Sequence, residues 1–211
     1  RGGAANLSFL ATDRADCKYV VRQYPSKTSK QVGYELSILK CLADQDFPSP
    51  RLAGNQSVGK INGLTTVCFG FIDGQVCRSN SPSTIFTVGQ LIAKMHLILK
   101  KCSLPYKKNP TWDEGDLLQL AEGFKSVKTK AKLARRILDV FDELKKVPVP
   151  VLPAAITHQD VKPDNIIVRK NRIAGIIDFD NAYEGARLHD ITTTAIWMCI
   201  DKQRFDQNKL K

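Results

Sequence analysis

The chain has 211 residues, 43% of them hydrophobic and 25% charged, which is the composition of an ordinary globular protein with room for one large domain or two lobes around a cleft. Fibrous, low-complexity and disordered readings are excluded, and the longest apolar stretches, Val149 to Ile156 and Ala195 to Ile200, fall far short of the roughly 18 residues a membrane span needs. Set against 21 Asp and Glu, the 32 Lys and Arg give a net charge of +11, which suits an anionic ligand without choosing among nucleotide, nucleic acid and acidic surface.

In chain order, Leu7 to Ala11 and Lys18 to Tyr24 read as two strands joined by the polar turn Thr12 to Asp16, a β-hairpin. Ahead of it Gly2-Gly3-Ala4-Ala5-Asn6 are small residues that let the backbone come close to another group. Pro25 to Ser29 supplies a turn and N-caps, after which Val32, Leu36, Leu39 and Leu42 recur at helical spacing until the breaker Pro48-Ser49-Pro50. Leu64 to Ile72 is a β-rich apolar run closed by the turn Asp73-Gly74. From Thr87 the pattern is helical. Val88, Leu91, Ile92, Met95, Ile98 and Leu99 form one stripe, Leu133, Ile137, Val140, Phe141 and Leu144 a later one, and both are expected to be core. Past Pro148, Pro150 and Pro153, Asn165 to Val168 and Ile173 to Ile177 read as short strands. The fold class is α+β, with a β-rich lobe over residues 1–72 and a mostly helical lobe over 73–211.

The basic residues crowd between Lys94 and Lys146 without interleaved aromatics, so they read as a solvated helix face and no nucleic-acid partner is expected. Six widely spaced cysteines with no C-x-x-C pair point to reduced thiols in a cytoplasmic protein with neither a zinc site nor a disulfide framework. The chain opens at Arg1 with no Met and no charged-then-apolar leader, and a segment ahead of Arg1 is one expectation.

The chemistry concentrates in Thr157 to Asp180, THQDVKPDNIIVRKNRIAGIIDFD. Crowded carboxylates repel one another and favour a cation between them, so Asn165 and Asp178, at the ends of adjacent short strands, can hold Mg2+ through hard oxygen ligands. Asp160 can then face a substrate hydroxyl and accept or orient its proton. Singly these are ordinary turn residues, and only their spacing together makes a phosphoryl-transfer layout.

That segment resembles the catalytic and metal-binding loops of the protein-kinase-like fold, most closely the aminoglycoside phosphotransferase and choline kinase superfamily of small-molecule kinases. The pattern H-x-D-x-x-x-x-N falls on His158, Asp160 and Asn165, and the following I-D-F plus acidic residue on Ile177 to Asp180. The resemblance implies Asp160 as the base or hydroxyl-orienting residue, Asn165 and Asp178 as magnesium ligands, His158 as a loop support and Lys162 as an aid to the transferred phosphate. Leu188-His189-Asp190-Ile191 resembles the helix start whose aspartate accepts bonds from the catalytic-loop backbone, while His96 and His189 are left as structural. Gly2, Gly3 and Asn6 resemble the glycine-rich phosphate loop, Arg22 stands where a lysine is usual, and Glu35 is its ion-pair partner. Val67 to Gly74, with Phe69 and Phe71, resembles the inter-lobe hinge.

The activity implied is ATP- and Mg2+-dependent phosphorylation of a small-molecule hydroxyl: an aminoglycoside, an amino alcohol such as homoserine or choline, or a sugar-like metabolite. A protein kinase is the alternative favoured by His158 to Asn165, but only about a dozen residues separate Asp178 from Asp190, too few for an activation segment. A nucleotide-binding pseudokinase is the other alternative, suggested by Arg22 and the short glycine loop. No membrane partner is expected, nothing bears on oligomeric state, and segments completing the substrate pocket are expected beyond both ends.

Overall fold

Turn chemistry sets the first sheet of the computed structural model, which describes residues 6–110, 114–127, 129–148, 150–201 and 204–205. Strands β1 (Leu7–Thr12) and β2 (Lys18–Tyr24) pair antiparallel, Leu7 opposite Gln23, and the Asp13 carboxylate closes their turn by accepting from the backbone N–H groups of Ala15 and Cys17 at 2.9 Å each. Two further strands, β3 (Val58–Ile61) and β4 (Leu64–Gly70), complete the order β1-β2-β4-β3. β3 is not among the expected strands, although Asn62-Gly63, both at positive φ (52° and 79°), is the two-residue hairpin turn that joins it to β4.

Helix α1 (Ser29–Ala43) starts in a reciprocal cap: Thr28 Oγ1 accepts from Gln31 N while Gln31 Oε1 accepts from Thr28 N. Its inner face buries Val32, Leu39 and Leu42, as the spacing predicts, together with Glu35. Helix α2 (Pro82–Leu99) begins five residues earlier than Thr87, because Ser81 caps it and Pro82, with φ already helical, fits the first turn. Val88, Ile92, Met95 and Leu99 are buried as expected.

Asn109–Pro153 forms a separate compact unit, in which α3 (Glu114–Lys125) and α4 (Ala131–Lys145) contact each other. Here the expectation of a core stripe fails. Leu133, Val140 and Leu144 are exposed, since helical periodicity defines an apolar face but not what covers it.

In the remainder, β5 (Gln75–Val76), β7 (Ile166–Arg169) and β8 (Arg172–Ile176) form one small sheet, and β6 (Ala154–Thr157) pairs with β9 (Tyr183–Ala186). Helix α5 (Leu188–Cys199) follows, and the short strands β10 (Ile200–Asp201) and β11 (Arg204–Phe205) pair after it. One core cluster joins α1, β4, α2 and β8 through Leu42, Val67, Met95 and Ile176. Cys41 and Cys102, expected as reduced thiols, are disulfide-bonded across a separation of 61 residues; their Cα atoms lie 6.2 Å apart, a bridgeable distance that sequence spacing does not report. Among the described residues no helix is long and apolar enough to cross a membrane.

Candidate active site

Strand pairing brings the two expected metal ligands together. Ile166 lies opposite Ile176 in the β7–β8 ladder, and one step beyond it the Ile177 N–H donates to the Asn165 carbonyl at 2.9 Å. Asn165 and Asp178 therefore flank one hydrogen bond. Asp178 holds φ at +73°, a left-handed backbone that aspartate tolerates better than most residues, and so turns out of the strand.

The loop after β6 is tied at each residue. His158 is fully buried: its Nδ1 accepts from Asp160 N at 3.2 Å, so its Nε2 carries the proton and donates to Ile177 O at 3.0 Å, while the ring packs on Phe179 with centroids 4.5 Å apart. Gln159 sits at φ +76°. Asp160 is partly exposed; its Oδ2 receives Lys162 Nζ at 2.7 Å and Asn165 Nδ2 at 3.0 Å, and the same Asn165 amide donates to the Asp160 carbonyl at 2.9 Å. Asp160, Lys162, Asn165 and Asp178 are thus brought together as the spacing suggests.

Asp190 is buried on the first turn of α5 and accepts from His158 N at 2.9 Å and Gln159 N at 2.7 Å, the loop-holding arrangement expected of it.

From the β1–β4 sheet, Arg22 reaches both Glu35 Oε1 (3.5 Å) and Asp178 Oδ1 (2.5 Å). Burial opposes the guanidinium charge, but Glu35 and Asp178 outweigh it and hold Arg22 protonated beyond its ordinary range. Burial pushes the Glu35 carboxyl up to about 7 against the pull of Arg22. Arg22 Nε is buried without an acceptor.

Two cations stand here that sequence reasoning did not single out. Lys27 Nζ lies 2.8 Å from Asp180 Oδ2 and also donates to Asp180 O at 2.9 Å, while Lys108 Nζ donates to Asp180 O at 2.7 Å and Ala182 O at 3.1 Å. Asn6 Nδ2 donates to Asp180 Oδ2 at 2.7 Å. Burial opposes the Asp180 charge, yet Lys27, Arg22 and Asn6 hold its carboxyl below the usual range. Burial, reinforced by Lys27, lowers Lys108 to about 8. Nothing in the sequence marks Lys27 or Lys108 out from the chain's other basic residues.

Phe69 is buried in the core and Phe71 is exposed, its N–H donating to Lys18 O at 3.1 Å. Gly2 and Gly3 lie outside the described residues.

The donor set fits a magnesium nucleotide. Asn165 spends its amide N–H2 on Asp160 and keeps its oxygen, Asp178 adds a part-exposed carboxylate already drawn to a cation, and magnesium is usually held by one or two such ligands plus phosphate. The spare Arg22 Nε is a donor suited to a phosphate oxygen.

The sequence model of the phosphotransferase enzyme family (APH) matches residues 1–210. The homoserine kinase of Methylobacillus flagellatus is 22% identical over 197 residues, 92% of this chain and 60% of the relative. That of Rhodopseudomonas palustris is 24% identical over 205 residues, 94% of this chain and 62% of the relative. The chain thus spans under two thirds of the length of these relatives. Among solved structures, the amicoumacin kinase hAmiN in complex with AMP-PNP, Ca2+ and Ami superposes with a TM-score of 0.75 at 16% identity, covering 97% of this chain and 64% of that one. Spectinomycin phosphotransferase APH(9)-Ia with ADP and spectinomycin gives 0.62 at 16% identity, covering 92% and 66%. Those likenesses show the protein-kinase-like fold.

Proposed function

Because the chain belongs to the phosphotransferase enzyme family, we propose that it transfers the γ-phosphoryl group of ATP, with Mg2+, to a hydroxyl group of a small molecule. The observation that carries this reading is the single Asn165 side chain bonded to Asp160 in a loop whose next strand delivers Asp178. In this reading Asp160 orients the acceptor hydroxyl and takes its proton, and Lys162, now on Asp160, moves to the transferred phosphoryl oxygens. Asn165 and Asp178 hold magnesium, which when bound neutralises phosphate charge. Arg22, paired with Glu35, steadies the inner phosphates beside the loop of Gly2, Gly3 and Asn6, while the backbone around Phe69 and Phe71 meets the adenine edge. Residues 1–72 form the nucleotide lobe and 73–211 the catalytic and acceptor lobe. No covalent intermediate is needed, because positioning and charge neutralisation supply the catalysis.

Homoserine is the first acceptor to propose, since the curated relatives carry that name. The test is ADP release with Mg2+ across homoserine, choline, hydroxylated antibiotics and a protein substrate, with Asp160→Asn in parallel. Phosphorylation of one small acceptor that is lost in the variant supports the reading. Protein labelling alone, or nucleotide binding with no acceptor turned over, refutes it.

A further inference from the structure

A cavity of about 1070 Å³ lies between the chain leading into α2, that helix and the β7–β8 hairpin. It is separate from the candidate active site, since none of Arg22, Asp160, Asn165 and Asp178 lines it. Its size is that of a small-molecule pocket, roughly 300–1000 Å³. Val168 and Ile173, partners in the ladder and both half-buried, give it an apolar wall.

Five cations line this cavity, Arg78, Lys94, Arg169, Lys170 and Arg172, and no acidic residue does. Three of them come from one hairpin turn. Lys170 and Asn171 take left-handed backbones, with φ +47° and +60°, and this two-residue turn sets Arg169 and Arg172 directly opposite each other in the ladder. Like charges in that position repel, and Lys170 between them adds to the cost. Among the described residues one ion pair relieves it, Arg169 Nε to Asp73 Oδ2 at 3.1 Å, and both of its side chains are exposed, where such pairs are weak. Arg78, Lys94, Lys170 and Arg172 have no carboxylate within 4 Å among the described residues.

The α2 side of the cavity offers hydroxyls. Thr84 Oγ1 lies 2.9 Å from Ser81 Oγ and 3.1 Å from Ser79 Oγ, and Ser79 Oγ donates to Ser81 Oγ at 3.3 Å. A hydroxyl can rotate to donate to an incoming anion. Thr87, Gln90 and Lys94, three and four residues apart, continue the same face of the helix.

We propose that this cavity binds a small molecule carrying two or more phosphate groups, held between the Arg169–Arg172 turn on one side and Arg78, the hydroxyls and Lys94 on the other. Four unpaired cations match two phosphate groups, each carrying about −1.5 to −2 near pH 7. Arginine forks take phosphate oxygens two at a time, which suits Arg78 and Arg172. No aromatic side chain lines the cavity to stack a base, which disfavours single-stranded nucleic acid. The proposal does not depend on the kinase reading.

The test titrates inorganic triphosphate into the full chain, in metal-free buffer at about 0.15 M salt, while backbone amide NMR signals are followed. Arg172→Glu and Lys94→Ala are run beside the control Lys132→Glu, an exposed α4 position outside the cavity lining whose reversal changes the net charge as much as that of Arg172. Saturable shifts at Thr84, Lys94, Lys170 and Asn171 are expected, with a Kd of about 0.1 mM or tighter. Arg172→Glu is expected to weaken it about tenfold or more, Lys94→Ala about threefold or more, and Lys132→Glu to leave it within about twofold. Shifts confined to Arg22, Asn165 and Asp178, or no saturable shift at all, overturn the proposal. So does equal weakening by Arg172→Glu and Lys132→Glu, which marks general attraction to a chain of charge +11. A polyglutamate peptide that binds this face about tenfold tighter than triphosphate also overturns it, in favour of an acidic protein partner.

Discussion

Arg22 Nη2 donates to Asp178 Oδ1 at 2.5 Å, so a cation from β2 already sits on the carboxylate assigned to magnesium. Glu35 approaches the same guanidinium from α1 at 3.5 Å. A forked, always-charged group serves both of these carboxylates and lies 3.6 Å from a third, that of Asp180, while its buried Nε keeps no acceptor.

For that reason Arg22→Ala is expected to raise the KM for ATP by about 10- to 100-fold, and Arg22→Lys to recover only part of it, because one ammonium cannot reproduce the fork. Steady-state kinetics with ATP varied at saturating Mg2+ measures both. A KM within about twofold of the parent in Arg22→Ala removes Arg22 from the phosphate site.

Asp160→Asn is expected to lower kcat by about 10²- to 10⁴-fold with nucleotide affinity kept, the range for loss of a positioned general base. Lys162→Ala, which strips the 2.7 Å partner from Asp160, is expected to cost less. Calorimetric titration of the nucleotide beside turnover separates binding from chemistry, and equal losses of both in Asp160→Asn contradict the assignment.

Glu35 gives a pH dependence of definite sign. Its carboxyl titrates at about 7 in the fold, chiefly through burial, against 4.5 ordinarily, so between those values the folded chain binds more protons than the unfolded one. Stability from this group therefore falls as pH rises from 4.5 to about 7 and is level above. The Tm of Glu35→Gln relative to the parent is expected to climb across that window and then plateau. The Arg22 ion pair also needs ionised Glu35, so kcat/KM for ATP is expected to rise through about 7 in the parent and to lose that limb in the variant.

Two glycines, one before β5 and one in β8, separate backbone strain from side-chain crowding. Gly74 stands at φ +150°, and a Cβ there would lie 2.6 Å from Val168 O, whereas a Cβ on Gly175 would lie 2.7 Å from the movable Cδ1 of Ile72. Gly74→Ala is expected to destabilise by about 2 kcal/mol or more and Gly175→Ala by less, read from urea midpoints. The reverse order counts against this account of the turn.

Much of this was legible locally. The Leu7–Tyr24 hairpin and α1 follow from alternation, turn residues and helical spacing over a few residues each, and the fold class follows from their order. The grouping of Asp160, Asn165 and Asp178 was legible too, because two short strands and one tight loop leave few ways to arrange them. Asn62-Gly63 was a readable turn signal that led to β3.

What the sequence by itself determined is therefore what nearest neighbours determine: element types, the H-x-D-x-x-x-x-N loop and the chemistry its oxygens can offer. Tertiary structure alone decided which distant groups neutralise one another. Asn6 meets Asp180 across 174 positions, Lys27 across 153, Lys108 across 72, and His96 meets Asp190 across 94. Periodicity carries no information at such separations. A lysine on the surface and a lysine on a buried carbonyl look identical in sequence, and only packing, which removes water and obliges each buried charge to find its partner, tells them apart.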